Sequence, residues 1–452
     1  MRTRKLTHAH MHTLTNRVFT TGYELVLGFV FLMVFPVLWR RIRPTGPGCA
    51  DWTERFGCYA AGRPVPAGTT IWIQAVSVGE LLAIPGLIRL LRERYPSEEI
   101  ILTVTTTSGR TVAARTFPDL PLFFFPFDFS FAVRAAFRRF NPKLIVLVET
   151  EVWPNLLSYA AKRNVPVVLV NGRISPGSFR WYRIFRWFVR RSFSLVTAAG
   201  MRSYEEAGRA ACLGLARDRI TVTGSVKFDQ AYEHAQLLDP EEVRRRFGIS
   251  SGRRVVVFGS LHPGEEEGVV AVMGRLRREF PDALFVLVPR WLNRTSLPAL
   301  LARGGVPFGR RSAFPEGREA GVWLLDTYGE LNFTYAVCAA AFVGGSLVKL
   351  GGQNPIEPAV FGKPVLSGPH MWHFAGEWDK LTVAGGGIEV TGYDDLGERI
   401  AELLNDPSGA AGAGRKAREV VLENRGAAAR SLAMIERVVN VRRETESVSR
   451  DA

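Results

Sequence analysis

Short, continuous apolar runs recur along the chain and constrain its fold more than any other feature. Each run is bounded by turn residues and followed by a segment with helical periodicity. Runs of this kind are typical of strands buried on both faces of a parallel sheet, with helices covering those faces. We predict strands at Thr70–Val76, Ile100–Thr106, Leu122–Phe125, Leu144–Val148, Pro166–Val170, Leu195–Thr197 and Ile220–Val222, and then at Arg254–Phe258, Leu284–Val288, Val322–Leu325, Ala340–Val343, Pro364–Leu366 and Gly387–Val390.

The alternation of strand and helix restarts after the segment Gly224–Asp229, which indicates two successive halves. The expected fold class is therefore α/β, with two Rossmann-like doubly wound domains facing a cleft. Ligands bind such sheets outside the carboxyl ends of the strands. The expected divisions are an N-terminal basic segment with a membrane anchor at 1–43, a first domain at 44–229, a second domain at 230–425, and a C-terminal helix and tail at 426–452.

An apolar segment at 22–39 lies between two basic segments near the N-terminus. Its length of about 18 residues is the short limit for a helix that spans a bilayer. We interpret it as a membrane anchor. The same residues also suit an interfacial amphipathic helix or a buried core helix, which are the two alternatives.

The strong positive charge of the chain indicates an anionic partner. The 452 residues carry a formal net charge of +15, which suits a phospholipid surface, a phosphorylated substrate or a nucleic acid. No recognisable nucleic-acid motif is present, so we expect no nucleic-acid partner. The sequence also contains no C-x-x-C and no H-E-x-x-H spacing, so we expect no metal site.

The segment Phe179–Arg191 concentrates arginines and aromatic side chains. On a helix the arginines lie on one side, namely Arg183, Arg186 and Arg190 with Arg180 close by. The large apolar side chains on the other side are Trp181, Ile184, Phe185 and Phe188, and Trp187 breaks this pattern. A basic amphipathic helix of this kind suits an anionic membrane surface. The alternative is a surface helix that packs its aromatic face onto the sheet.

Three carboxylates follow predicted strands of the first half. Glu80 lies in the first turn of a helix, where it can act as a general base on a hydroxyl or complete a capping box with Ser77. Glu149 and Glu151 follow the strand Leu144–Val148. There they either contact an acceptor or cap the next helix.

A glycine-rich turn follows the predicted strand Ala340–Val343. Gly344, Gly345 and Gly352 let the backbone approach a ligand closely, and the start of the next helix offers amide groups to an anion. Glu357 lies in the first turn of that helix, where its carboxylate can accept hydrogen bonds from ribose hydroxyls. The alternative is an unliganded strand-to-helix turn in which this Glu only matches the helix dipole.

These segments, considered together, closely resemble the 3-deoxy-D-manno-octulosonic acid (Kdo) transferases of lipopolysaccharide synthesis. The resemblance covers nearly the whole chain. The motifs that carry it are W-I-Q-A-V-S-V-G-E, V-E-T-E-V-W-P-N, N-G-R-I-S, G-S-V-K-F-D, V-P-R, D-T-Y-G-E-L and F-V-G-G-S-L-V-K-L-G-G-Q-N-P-I-E-P.

The resemblance implies a GT-B glycosyltransferase with an N-terminal membrane-anchor helix, located at the cytoplasmic side of the inner membrane. It implies CMP-Kdo as the donor, a lipid A precursor as the acceptor, no further cofactor, and an inverting, metal-independent reaction. Glu80 matches the catalytic base of the family by position. The positions that match its donor-binding residues are Ser260, Pro289, Arg290, Gly344, Gly345, Gly352, Asn354 and Glu357.

Two other classes of protein would keep part of this pattern. Another membrane-associated GT-B nucleotide-sugar enzyme would keep the fold and the glycine-rich turn. A non-catalytic basic protein that binds membranes would explain the charge, but it would need neither Glu80 nor the turn. Transfer of Kdo from CMP-Kdo separates our interpretation from both.

Overall fold

The computed structural model describes residues 21–36, 50–59, 68–317 and 319–450. The chain divides into two compact units. The first runs to Val226 and resumes at Gly426, and the second runs from Lys227 to Arg425. The predicted basic segment at 1–19 and the arginines that close the apolar segment lie outside the described residues.

Seven parallel strands form the sheet of the first unit. They are β1 Thr70–Ala75, β2 Glu99–Val104, β3 Leu122–Phe124, β4 Pro142–Val148, β5 Val167–Gly172, β6 Ala198–Met201 and β7 Ile220–Val222. Their order across the sheet is β3-β2-β1-β4-β5-β6-β7. The helices are α1 (21–36), α2 Ala50–Arg55, α3 Val78–Leu82, α4 Pro85–Arg94, α5 Thr107–Thr116, α6 Ser130–Phe140, α7 Pro154–Lys162, α8 Pro176–Ile184, α9 Arg186–Phe193 and α10 Tyr204–Cys212, with a 3-10 turn at Arg217–Arg219.

Seven further parallel strands form the sheet of the second unit. They are β8 Val255–Leu261, β9 Leu284–Pro289, β10 Gly309–Arg310, β11 Val322–Leu324, β12 Ala340–Val343, β13 Val365–Ser367 and β14 Gly387–Glu389. Their order is β10-β11-β9-β8-β12-β13-β14. The remaining helices are α11 Val226–Gln236, α12 Pro240–Phe247, α13 Glu266–Glu279, α14 Leu297–Arg303, α15 Leu331–Val337, α16 Ile356–Ala359, α17 Ala375–Ala384, α18 Tyr393–Asn405, α19 Pro407–Asn424 and α20 Ala427–Arg450, with a 3-10 turn at Arg311–Ala313. The prediction of two parallel, doubly wound α/β halves is confirmed.

Strand β1 shows why the apolar runs are continuous. All of its residues are buried. Ile71 packs on one face with Leu87 of α4, and Trp72 packs on the other face with Phe137 of α6. The C-terminal helix α20 adds Ile435 to the first of these cores, so it packs on the first sheet although it follows the second unit in sequence. A strand with cores on both faces has no solvent-facing position that would impose a polar alternation.

Two of the predicted elements in the first half are wrong in detail. The predicted strand Leu195–Thr197 lies too early, because the backbone N–H groups of Leu195 and Val196 still donate to carbonyls at the end of α9. The strand begins at Ala198. The predicted single helix Phe179–Arg191 is interrupted at Phe185, whose torsions of φ −99° and ψ 30° leave the helical region.

Helix α1 covers part of the apolar segment that we interpret as an anchor, and residues 37–39 of that segment lie outside the described ranges. Within the described part of the chain, no helix is both long enough and apolar enough to cross a membrane. The anchor therefore stays a prediction.

Candidate active site

In each unit, some of the predicted site residues lie at the carboxyl ends of two paired strands. In the first unit Glu80 follows β1 and Glu149 follows β4, and these strands are hydrogen-bonded neighbours. In the second unit Ser260 lies at the end of β8 and Gly344 follows its neighbour β12. The chain winds in opposite directions from each of these pairs, and ligands bind doubly wound sheets at such switch points.

Glu80 is a buried carboxylate, 7% exposed, at the start of α3. It accepts a hydrogen bond from the Val76 N–H at 2.7 Å and one from the Ser77 hydroxyl at 2.9 Å. Ser77 also accepts from the Glu80 N–H at 3.3 Å, so the predicted helix cap exists. Burial raises the pKa of Glu80, these hydrogen bonds oppose the rise, and the charge of Glu149 adds to it. A raised pKa suits a general base at neutral pH, so one side chain can serve as both cap and base.

Glu149 lies at the end of β4 in a strained conformation. Its φ of 62° lies in the left-handed region, which is uncommon for a residue other than glycine. The carboxylate pairs with Arg202, whose Nε donates to the side-chain oxygen of Asn171 at 2.9 Å. Strain of this kind persists where the surrounding contacts fix the backbone, and it is common at functional sites.

Glu151 completes a cluster of three carboxylates. Burial, followed by the charges of Glu80 and Glu149, raises the pKa of Glu151 to about 7. Burial and the charge of Glu151 also raise the pKa of Tyr182 on α8, which shows that this phenol faces the cluster. The site in the first unit is therefore a group of three neighbouring carboxylates, in which the pKa values of Glu80 and Glu151 are raised.

Three of the predicted donor-binding residues lie at the ends of the neighbouring strands β8 and β9. Ser260, in β8, has a φ of 56°. Pro289 is the buried last residue of β9, and Arg290 follows it with an exposed side chain. The charge of Arg290 lowers the pKa of both His262 and Glu357, so its guanidinium lies close to these two side chains.

The turn after β12 binds an anion that belongs to the protein itself. The N–H groups of Gly345, Ser346 and Leu347 donate to the carboxylate of Glu265 at 2.6, 3.0 and 3.0 Å. Glu265 is fully buried, with 0% exposure. These three amide groups therefore already have an acceptor within the protein, and they are distinct from the amide groups at the start of the next helix that the sequence predicts as an anion site.

Beyond this turn, Asn354 and Glu357 form a small polar unit. The Asn354 side-chain oxygen accepts from the Ile356 N–H at 3.1 Å, and its amide nitrogen donates to Glu357 at 3.2 Å. Burial raises the pKa of Glu357, while the hydrogen bond from Asn354 and the charges of Arg290 and Lys227 oppose the rise. The carboxylate keeps an oxygen that can accept ligand hydroxyls.

Helices α8 and α9 expose both their basic and much of their apolar side chains. Arg180, Arg183 and Arg186 are all exposed. The apolar residues that are exposed with them are Trp181 (66%), Ile184 (65%), Phe185 (53%) and Trp187 (72%). The alternative in which the apolar face packs onto the sheet is therefore wrong for Trp181, Ile184 and Phe185 and correct for Phe188. The core contacts of these helices come from the buried Val189 and Phe193, and Phe179, Tyr182 and Phe188 are partly buried against the same core.

Sequence reasoning missed Glu265 and did not assign His262. His262 is 4% exposed, its Nε2 lies 3.0 Å from the amide nitrogen of Gln353, and its ring packs edge-on against Trp291 with centroids 4.7 Å apart. A signal for Glu265 was present, because the Ser260–Glu265 turn leads from a strand into a helix as the turn before Glu80 does. Among the described residues, no group of His, Cys, Asp or Glu is arranged to hold a metal ion.

A family model and two similar proteins indicate the same protein family. A family model described as 3-deoxy-D-manno-octulosonic-acid transferase (kdotransferase) matches residues 50–230. The 3-deoxy-D-manno-octulosonic acid transferase of Haemophilus influenzae is 34% identical over 387 residues, which are 84% of this chain and 90% of that relative. The same-named protein of Bordetella pertussis is 33% identical over 430 residues, which are 92% of this chain and 98% of that relative.

A solved structure of a differently named enzyme has a similar fold. The solved structure of UDP-GlcNAc 2-epimerase from Neisseria meningitidis bound to UDP-GlcNAc has a TM-score of 0.59 to this chain. The match covers 82% of this chain and 100% of the epimerase at 13% identity. At that identity the likeness shows the fold alone, which is of the GT-B-like type with two parallel α/β domains.

Proposed function

The chain belongs to the 3-deoxy-D-manno-octulosonic acid transferase family, and from that premise we propose that it transfers Kdo from CMP-Kdo to a lipid A precursor in lipopolysaccharide synthesis. The enzyme class follows from the family, because the two relatives match over nearly their whole length. Three further parts of the proposal go beyond the family: the identity of the acceptor, the use of CMP-Kdo and the mechanism. Glu80, Arg290 and Glu357 support the donor and the mechanism, and an exposed surface of the first unit supports a lipid acceptor.

Glu80 supplies the general base of the proposed reaction. Its carboxylate takes the proton from a glucosamine hydroxyl of the acceptor, the hydroxyl oxygen attacks the anomeric C2 of Kdo, and the bond from C2 to the CMP phosphate breaks. Attack opposite the leaving group inverts the configuration. The observation that supports this role most directly is the buried position of Glu80 beside Glu149, because burial and the charge of Glu149 raise its pKa.

Arg290 and Glu357 bind the donor in this mechanism. The exposed guanidinium of Arg290 pairs with the phosphate of CMP and stabilises the charge that develops as CMP leaves. Glu357 accepts hydrogen bonds from the ribose hydroxyls. We propose that the guanidinium takes the place of a metal ion, so a chelator such as EDTA is expected to leave the transfer rate unchanged.

An exposed apolar surface on the first unit supports a location at the anionic inner membrane, on its cytoplasmic side. One side of α1 packs on the unit, where the ring of Phe31 lies 5.2 Å from Phe127 and 5.6 Å from Phe129 between centroids. The outward side chains of α1 are Leu25 (71%), Val26 (62%), Phe29 (64%), Leu32 (68%) and Met33 (64%). Together with the exposed side chains of α8 and α9, they form a surface that combines aliphatic, aromatic and arginine groups, as membrane-binding surfaces do.

Polar contacts at its first turns fix α1 on the unit. Glu24 accepts hydrogen bonds from the Ser130 N–H at 2.7 Å and from the Asn155 amide at 3.3 Å. The ring of Tyr23 lies 5.5 Å from Phe188 of α9. Since α1 contacts α9 directly, we propose that the two helices meet the same lipid leaflet and hold the enzyme beside its lipid acceptor.

The test of the proposed activity is incubation of the purified full-length protein with freshly made CMP-Kdo and a tetra-acylated lipid A precursor. Mass spectrometry of the lipid is expected to show the addition of Kdo, and it also counts the sugars added. Parallel reactions contain UDP-GlcNAc or another CMP-sugar. Transfer only from one of these other donors would contradict the proposal and indicate a different GT-B enzyme.

The membrane surface is tested with vesicles. Sedimentation with anionic phospholipid vesicles is expected to be lost in a Trp181→Ser/Trp187→Ser variant and kept in Tyr328→Ser. Tyr328 is a matched control, because it is an aromatic residue of the second unit that is 74% exposed. Equal sedimentation of both variants would contradict the assignment of this surface.

A further inference from the structure

The carboxylate of Glu265 fills a site that nucleotide-binding folds commonly leave for a ligand. The turn after a buried parallel strand often presents successive N–H groups to a phosphate. Here the two oxygens of Glu265 accept from Gly345, Ser346 and Leu347, and a fourth hydrogen bond comes from the His262 N–H at 3.1 Å. The convergence of four backbone donors on one buried side chain is far more than a helix cap requires.

The geometry of the turn leaves no room for another occupant. Gly345 has a φ of +72°, and a Cβ on Gly344 would lie 2.6 Å from the Ser260 carbonyl oxygen and 3.0 Å from the Glu265 carboxylate. The backbone is therefore packed directly against the carboxylate. A phosphate, which is larger than a carboxylate, cannot share these amide groups with Glu265.

The turn that donates to Glu265 is also hydrogen-bonded to the segment that carries the next donor-binding residues. The Gly345 carbonyl that follows the bound amide accepts from the Gly352 N–H at 2.9 Å, and the Gly344 carbonyl accepts from the Gln353 N–H at 3.1 Å. Gln353 precedes Asn354, which in turn orients Glu357. The carboxylate thus begins a chain of backbone contacts that ends at the predicted ribose-binding side chain.

We propose that Glu265 is a positioning residue for the nucleotide donor: an internal anion that holds the Gly345–Leu347 turn in place and leaves the donor phosphate to Arg290. The inference rests on the proposed function, since it assumes a CMP-sugar donor. In the usual arrangement, the backbone amide groups of such a turn bind the phosphate. Here the side chain of Arg290 binds it instead.

Glu266 provides a matched control. It is the next residue and is equally buried, at 2% exposure. Its carboxylate accepts from the Thr295 hydroxyl at 2.7 Å and the Ser296 N–H at 2.7 Å, at the start of α14. A change at either position removes a buried carboxylate and its hydrogen bonds, but only Glu265 contacts the glycine-rich turn.

The first experiment measures CMP binding to the full-length protein by calorimetry. Glu265→Ala is expected to weaken binding by about 30-fold or more, because the turn loses the anion that fixes it, whereas Glu266→Ala is expected to weaken it by less than about 3-fold. Equal effects of the two changes would overturn the proposal. If Glu265→Ala does not fold, Glu265→Gln serves in its place, because the amide N–H groups of Gln face the N–H groups of the turn. A Gln variant that binds CMP as tightly as wild type does would also overturn the proposal.

The second experiment replaces the missing anion. Formate is a free carboxylate that fits the space left by Glu265→Ala, and formamide is its neutral counterpart. Formate is expected to restore most of the lost CMP affinity in this variant and formamide is not, whereas neither compound affects Glu266→Ala. Rescue by both compounds, or by neither in a folded variant, would show that Glu265 acts by packing. Absence of CMP binding to the wild type would instead count against the donor in the proposed function, and the inference would fail with it.

Discussion

Glu80 and Glu265 hold equivalent positions in the two units and have different surroundings. Each is buried, each follows a strand at the switch point of its sheet, and each lies at the start of a helix. The oxygens of Glu80 accept one backbone N–H and one hydroxyl, whereas those of Glu265 accept four backbone N–H groups.

The neighbouring strand accounts for the difference. Strand β12 is followed by a turn whose amide groups converge on Glu265. Strand β4 is followed by Glu149 and Glu151, and the negative charge of Glu149 disfavours the ionised form of Glu80. A buried carboxylate among amide groups orders the backbone, whereas one among other carboxylates can take up a proton during a reaction. The comparison therefore separates a structural from a chemical role without reference to sequence motifs.

The largest effect that this comparison predicts is on the rate of transfer. Glu80→Gln is expected to lower kcat for Kdo transfer by about 1,000-fold, within the range of about 100- to 10,000-fold typical of a general base, with CMP affinity unchanged. Glu93→Gln is the control, because Glu93 is an exposed glutamate on α4 of the same unit. A Glu80 variant that transfers Kdo at near wild-type rate would reduce Glu80 to a helix cap and make Glu149 or Glu151 the candidate base.

The next effect is on stability. A change at Glu265 is expected to lower the free energy of unfolding more than a change at Glu80 does. Glu265→Gln is expected to lower the free energy of unfolding by about 3 kcal/mol, because its amide leaves several buried N–H groups without an acceptor. Glu80→Gln is expected to cost about 1 kcal/mol, because the Gln oxygen still accepts from Val76. Urea titrations followed by fluorescence measure both changes. Equal losses would mean that the number of backbone donors does not distinguish the two sites.

The acidic cluster predicts a dependence of stability on pH. The pKa of Glu151 is raised in the folded state to about 7, above its value in the unfolded chain. Its stabilising contribution is therefore complete below the unfolded pKa of about 4.3 and is lost as the pH rises to 7. Glu151→Gln is expected to be more stable than wild type by about 2 kcal/mol at pH 8 and nearly equal to it at pH 4, as thermal unfolding at the two pH values will show. If the stability of the variant differs from that of wild type by the same amount at both pH values, the result would argue against the raised pKa of Glu151.

Much of the fold followed from the sequence because buried parallel strands leave a strong local pattern. The bounds of Ala340–Val343 and Ile220–Val222 were predicted without error, and a glycine follows each run within two residues. Strand β10, with two residues, was not predicted because it is too short to carry a periodicity. The break at Phe185 was missed for a different reason, because neither glycine nor proline marks it.

The candidate site was predictable as far as it consists of side chains beside strand ends. Glu80, Glu149 and Arg290 could be assigned to such positions from the sequence. The roles of Glu265 and Arg202 could not, because each depends on a partner far away in the chain: Glu265 binds amides about 80 residues later, and Arg202 pairs with Glu149. Local patterns describe a turn and its helix, but they do not say which distant backbone groups will converge on it.

The smallest predicted effect compares two glycines that lie beside these carboxylates. Gly345 has a φ of +72°, and a Cβ there would lie 3.0 Å from the ring of His262. Gly79 lies within α3, and its nearest neighbour would be the Ser77 hydroxyl at 3.9 Å. Gly345→Ala is therefore expected to lower the free energy of unfolding by about 1 kcal/mol, because alanine is strained at positive φ. Gly79→Ala is expected to change it by less than about 0.5 kcal/mol, or to raise it slightly because alanine has the higher helix propensity. Urea titrations of both variants measure the difference. If Gly345→Ala is as stable as Gly79→Ala, the turn is able to relax, and Glu265 does not hold it as tightly as its four hydrogen bonds indicate.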